Sequence, residues 1–162
     1  MLIAVISDTH LPKGQRRIPD ACIDQLRTAD LILHAGDFTS IDTLVEIESI
    51  GPPLMAVYGN VDSEQVRRHL PAERVVDARG VRIGMLHDAG PSRGRVERMR
   101  LRFPDVQAVV YGHSHIPLHE EQDGFHLFNP GSPTDRRRQP HHTMGLARIE
   151  EGRIRFELIE LD

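Results

Sequence analysis

The chain has 162 residues, ten histidines, no tryptophan and one cysteine, and its 20 basic and 24 acidic side chains leave a formal net charge of −4. That length suits a single domain, residues 1–162, with room for a real apolar core. The charge balance excludes bulk electrostatic binding to nucleic acid or to an anionic membrane, and the lone Cys22 excludes an internal disulfide or a thiolate metal cluster.

Met1–Ile6 is apolar but lacks a basic lead and stops at Ser7-Asp8. It reads as a buried first strand rather than a secretory signal, so a cytoplasmic location and no membrane association are expected. Apolar residues at Cys22, Ile23, Leu26 and Ala29 predict a helix over Pro19–Ala29, with Pro19 suited to the first turn. Leu31–Leu33 reads as a second buried strand. Ser40 can cap a helix that runs to about Ile50 and stops at Gly51-Pro52-Pro53. Leu54–Tyr58 is a third strand, and the alternation with helices implies parallel pairing.

The second half is richer in strands. Arg74–Asp77 and Val81–Leu86 form a pair turned at Arg79-Gly80. Ser92–Phe103 suits a basic amphipathic helix, and Val106–Tyr111 another buried strand. Leu118–Phe128 and Met144–Leu161 read as hairpins broken at Asp123-Gly124 and Glu151-Gly152. The expected fold is a mixed α/β domain, with two packed sheets and helices outside.

Several apolar strands end in compact polar groups: Asp8-Thr9-His10, Gly36-Asp37, Gly59-Asn60-Val61-Asp62, Leu86-His87-Asp88 and Gly112-His113-Ser114-His115. Ligands in α/β sheets bind at the carboxyl ends of strands, so these five ends can converge on one rim. Carboxylates with imidazoles suit a divalent ion such as Mn²⁺, Fe²⁺, Ni²⁺ or Zn²⁺. In an extended Asp-x-His the two side chains point the same way, so Asp8 and His10 can grip one ion, and His113 and His115 can do likewise or divide between two neighbouring ions. Gly36, Gly59 and Gly112 allow tight backbone turns beside the ions. An isolated Asp-x-His is usually a turn, and Gly-Asp is a common turn dipeptide; the weight lies in five groups together.

This series, Asp8-x-His10, Gly36-Asp37, Gly59-Asn60-x-Asp62, His87 and Gly112-His113-x-His115, resembles the calcineurin-like metallophosphoesterases. Asn129-Pro130-Gly131-Ser132 and the short length are similar to the small bacterial and archaeal phosphodiesterase branch. The resemblance implies a double sheet flanked by helices and two divalent metal ions, manganese first among them, with Mg²⁺ also admissible. It implies Asp8, His10 and His115 on one ion, Asn60, His87 and His113 on the other, and Asp37 bridging. It further implies hydrolysis of a small phosphate-ester substrate by a bridging hydroxide, with Asp37, Asn60 and His87 carrying the catalysis, and a homodimer is common among relatives. A non-catalytic interaction scaffold on the same fold is the alternative.

Many family members carry a histidine directly after the ligand asparagine as general acid; here that residue is Val61. Asp88 stands where the related branch usually has glycine, and reads as a solvated loop residue, a partner of a ligand imidazole or a proton donor. His34 is expected to pack near the site without ligating. His69, His119 and His126 read as surface or strand residues. The Arg136-Arg137-Arg138 loop either lies near the pocket, attracting an anionic substrate, or is simply solvated.

Overall fold

The computed structural model describes all 162 residues. Its elements run β1 (Leu2–Ile6), α1 (Asp20–Thr28), β2 (Leu31–His34), α2 (Ile41–Glu48), β3 (Leu54–Ala56), α3 (Glu64–His69), β4 (Glu73–Ala78), β5 (Val81–Leu86), α4 (Arg95–Arg102), β6 (Ala108–Val110), β7 (Leu118–Gln122), β8 (Phe125–Asn129), β9 (Thr143–Glu150) and β10 (Arg153–Glu160). No helix is long and apolar enough to cross a membrane.

Two five-stranded mixed sheets form, ordered β10-β9-β1-β2-β3 and β4-β5-β6-β8-β7. The first three strands pair in parallel through the α1 and α2 crossovers. Both late hairpins, and the β4–β5 pair, are antiparallel as their turn signals predict.

Three apolar clusters stack the layers. Ile3, Val5, Leu33, Ile83, Val110 and Phe128 belong to a core that draws on both sheets. Ala4, Ile6 and Ile32, on the other face of the first sheet, meet Cys22 and Leu26 of α1 and Leu44 and Ile47 of α2. Val109 and Leu127 of the second sheet pack with Met99 of α4 and with Phe103. The alternation of inward and outward residues along each strand follows from the strand's two-residue period.

Helix boundaries follow local chemistry. Ser40 accepts the Thr43 N–H and caps α2. Ser63 does the same for α3 through Val66 N–H, in a helix too short for its apolar periodicity to register in the sequence. Helix α4 begins later than its amphipathic pattern suggests, because Gly94 takes a left-handed conformation (φ 67°) just before it.

Gly145 of β9 leaves the space that Phe128 fills: a Cβ there would lie 2.2 Å from the Phe128 ring and 3.4 Å from the Val5 Cβ. Gly145→Ala is therefore expected to destabilise the fold by about 1–3 kcal/mol through overpacking between the sheets. Chemical denaturation of the two proteins checks it, and an unchanged midpoint would show that the sheets separate freely at that point.

Candidate metal centre

Strands β1, β2, β3, β5 and β6 all deliver their carboxyl ends to one rim. Backbone hydrogen bonds sew the ends together, from Asp8 N–H to the Gly36 carbonyl and from Gly112 N–H to the His87 carbonyl, each 2.9 Å. The seven side chains singled out in the sequence, Asp8, His10, Asp37, Asn60, His87, His113 and His115, stand at this rim.

Asp8 is fully buried. Its Oδ2 accepts the Ser7 hydroxyl at 2.7 Å and the His113 backbone N–H at 3.0 Å. Its Oδ1 is buried with no hydrogen-bond donor at all. Facing that oxygen are the Nε2 atoms of His115 at 3.4 Å, His10 at 3.7 Å and His87 at 3.9 Å. His115 Nδ1 lies 2.6 Å from the Asp135 carbonyl, which can only accept, so Nδ1 holds the proton and Nε2 offers a lone pair. Burial lowers the His115 pKa and keeps the ring in the neutral, ligating form. His10 Nε2 comes within 3.2 Å of His115 Nε2, with the rings stacked.

The second group is built on His87. Its Nδ1 donates to the Ala35 carbonyl at 2.7 Å. Its Nε2 then meets Asp37 Oδ2 and Asn60 Oδ1, each at 3.1 Å. One ring nitrogen between two oxygen acceptors requires positive charge there, either a proton or a metal ion. His113 Nδ1 reaches the same Asn60 oxygen at 2.9 Å. Burial opposes ionisation of Asp37, but the His87 hydrogen bond and charge outweigh it and hold the carboxyl below its usual range. The reciprocal effect appears at His87: burial disfavours the imidazolium, yet Asp37 and Asp8 raise its pKa overall.

The ligand atoms of Asp8, His10 and His115 lie within 4.8 Å of one another, and so do those of Asp37, His87 and His113. Asp37 Oδ2 connects the two groups, 3.1 Å from His87 and 3.5 Å from His10. An orphaned buried carboxylate oxygen ringed by imidazole nitrogens fits a divalent cation, and the donor set matches a hard-to-borderline metal.

The pairing of Asp8 with His10 does not come from extended backbone. Asp8, His10, Asp37, His113 and His115 all have positive φ, between 46° and 70°. Each strand end turns sharply through the left-handed region, and that turn throws both side chains onto the rim. Gly36 shares this conformation (φ 97°). Gly59 and Gly112 are required for a different reason: a Cβ would fall 2.0 Å from Asp37 Oδ1 at the first and 1.9 Å from Ser7 Oγ at the second.

Supporting residues were less visible in the sequence. Asp62 accepts three backbone N–H groups, from Asp37 (3.0 Å), Thr39 (2.7 Å) and Gly59 (2.7 Å), and so ties the β2 and β3 loops together. Its only signal is its place in Gly-Asn-x-Asp. Ser132 Oγ donates to the Asp8 carbonyl at 2.7 Å and accepts the Thr134 and Asp135 N–H groups, which gives Asn129-Pro130-Gly131-Ser132 its structural meaning. Arg16 pairs with Asp135 at 3.1 Å, steadying the carbonyl that orients His115. Buried His34 accepts the Gly36 N–H, bonds Thr9 and stacks on Phe38 at 3.6 Å, so it packs beneath the site. Asp88 is an exposed loop residue that caps Gly90 N–H, with His113 Nε2 3.8 Å away. The Arg136-Arg137-Arg138 loop is exposed and follows Asp135, whose carbonyl meets His115.

The profile of the calcineurin-like phosphoesterase superfamily domain matches residues 1–152. This chain belongs to the calcineurin-like phosphoesterase superfamily. It is 38% identical to a probable metallophosphoesterase of Methanothermobacter thermautotrophicus over 165 residues, covering 98% of this chain and 92% of that one. A phosphodiesterase of Methanocaldococcus jannaschii is 28% identical over 144 residues, covering 81% of this chain and 83% of its own. In fold the chain is similar to Vps29 from Entamoeba histolytica complexed with Zn²⁺, with a TM-score of 0.77, 24% identity and 100% coverage of both chains. Membership in the superfamily implies divalent metal ions, and the two residue groups above are where this calcineurin-like phosphoesterase can hold them.

Asp62→Asn replaces one acceptor oxygen by an amide that repels the backbone donors. It is expected to destabilise the protein by about 1.5–3 kcal/mol. The metal content after purification should fall with it, since the Asp37 and Gly59 loops lose their tie. Thermal denaturation together with elemental analysis measures both.

Proposed function

We propose that this metal-dependent phosphoesterase is a phosphodiesterase that works through two divalent ions, one held by Asp8, His10 and His115, the other by Asn60, His87 and His113, with Asp37 shared. The observation that carries this reading is the unpartnered Asp8 Oδ1 beside two ligand clusters joined at Asp37 Oδ2. When bound, such ions act as Lewis acids towards a phosphoryl oxygen and generate a hydroxide nucleophile near neutral pH. Mn²⁺ is the preferred ion, with Fe²⁺, Ni²⁺, Zn²⁺ and Mg²⁺ as competitors. The substrate is a small phosphate ester.

The protein's own groups set the limits of the chemistry. Neutral Asn60 adds no charge to the second ion, which leaves that ion a stronger Lewis acid. Val61 presents an apolar, 45% exposed side chain where relatives place an acid, so nothing at that position protonates a leaving group. Its backbone N–H instead donates to Asp37 Oδ1 at 3.0 Å, leaving Oδ2 to face the ions. The exposed arginines 136 to 138 follow the Asp135 that orients His115, and offer positive charge to an anionic substrate.

Chelation should abolish hydrolysis of activated diesters, and added Mn²⁺ should restore it. Asp37→Asn and His87→Ala should each lower kcat/KM by more than about 100-fold with folding intact, because each removes a ligand of the ions that would supply the nucleophile and the Lewis acid. Full activity in both variants would remove this mechanism. Metal bound without turnover of any activated ester would favour the scaffold reading.

Leaving-group dependence supplies a second test. General-acid help is typically worth about 10²–10⁴-fold, so aryl esters should outpace alkyl esters by a margin of that order. Val61→His should narrow it. A rate indifferent to leaving-group pKa would place a proton donor elsewhere.

A further inference from the structure

Away from the metal centre, the β7–β8 hairpin gathers a second set of ligating side chains. His119 and Glu121 alternate on β7, and the antiparallel register sets His126 opposite Glu121 and Phe128 opposite His119. All four therefore share one face of the hairpin. That face turns towards β10, whose Phe156 stacks on Phe128 at 4.4 Å and lies 5.6 and 5.7 Å from the rings of His119 and His126.

The aromatic wall holds the two imidazoles nearly parallel, 17° apart in plane, with His119 Nε2 3.1 Å from His126 Nδ1. Two nitrogens bound to one ion at about 2.1 Å each, at ordinary angles, lie about 3.0–3.4 Å apart. His10 and His115 show the same spacing, 3.2 Å, at the metal centre. The pair opens into a cavity of about 650 Å³ whose lining includes Glu121, Arg153 and Arg155. Burial lowers the pKa of both histidines, while the Glu121 carboxylate pulls each the other way; neutral imidazole is the ligating form. Arg153 and Arg155 in the same lining favour an anion as a further ligand of the bound ion.

We propose that His119 and His126 form a separate surface site for a borderline divalent cation such as Zn²⁺, Ni²⁺ or Cu²⁺, with the remaining positions left to water or an anion. The two-histidine grip selects against Mg²⁺ and Ca²⁺, which prefer all-oxygen shells. The site shares no residue with the metal centre, so it stands or falls independently of the proposed phosphodiesterase chemistry.

Metal-stripped full-length protein titrated with Zn²⁺ against a chromophoric chelator tests it. The wild type should bind one more equivalent than His119→Gln or His126→Gln, and both variants should keep the hydrolytic activity of the parent. His119 is exposed, so its substitution leaves the core in place. Equal stoichiometry in wild type and His119→Gln would overturn the proposal. As a second measure, the difference between the electron paramagnetic resonance spectra of wild type and each variant, all saturated with Cu²⁺, should show hyperfine coupling to imidazole nitrogens, and a null difference for both variants would also overturn it.

Discussion

An ionised carboxylate oxygen buried without a donor destabilises a fold by about 1–3 kcal/mol, and more when its charge is uncompensated. Asp8 Oδ1 is such an oxygen. The surrounding groups do not relieve it by hydrogen bonding. Ser7 and the His113 N–H are both committed to the other oxygen, and His115 has its proton on the far nitrogen. What faces Oδ1 is a set of three imidazole nitrogens, and a divalent cation satisfies oxygen and nitrogens together. The rest of the rim is arranged around this unmet demand.

Keeping those groups in place requires backbone that resists relaxing. Five site residues other than glycine sit in the left-handed region, each at an expense of order 1–3 kcal/mol. The resistance comes from outside the rim. Asp62 gathers three backbone donors from two loops, and Ser132 reaches across from the end of β8 to hold the Asp8 carbonyl. Beneath them lie the inter-sheet core and the helix-covered core, whose burial is insensitive to the direction in which the loops turn. Apolar packing thus supplies stability, and polar contacts convert part of it into geometry.

The same division explains which features the chain reveals in one dimension. Strand ends are legible because apolar runs stop abruptly at polar groups, as at Ile6-Ser7-Asp8. The seven rim residues stand out because their chemistry repeats at every such end. Helix α3 is hidden because six residues hold less than two turns of periodicity. The extended reading of Asp8-x-His10 reaches the right pairing by the wrong backbone, since a left-handed turn also brings alternate side chains to one side. Asp62 and Ser132 act on backbone groups of other loops, and no local pattern encodes such a partner. His119 and His126 look like ordinary strand residues until the hairpin register and Phe156 bring their nitrogens together.

Val61 shows how the two halves of the site are separable. Its contribution to the metal centre runs through its backbone N–H, which fixes Asp37 Oδ1 whatever side chain position 61 carries. Its side chain projects into solvent and supports none of the ligands. The geometry of the rim is therefore indifferent to whether position 61 donates a proton. On the proposed mechanism, residue 61 is free to change leaving-group preference while Asp8, Asp37 and the four imidazoles stay fixed.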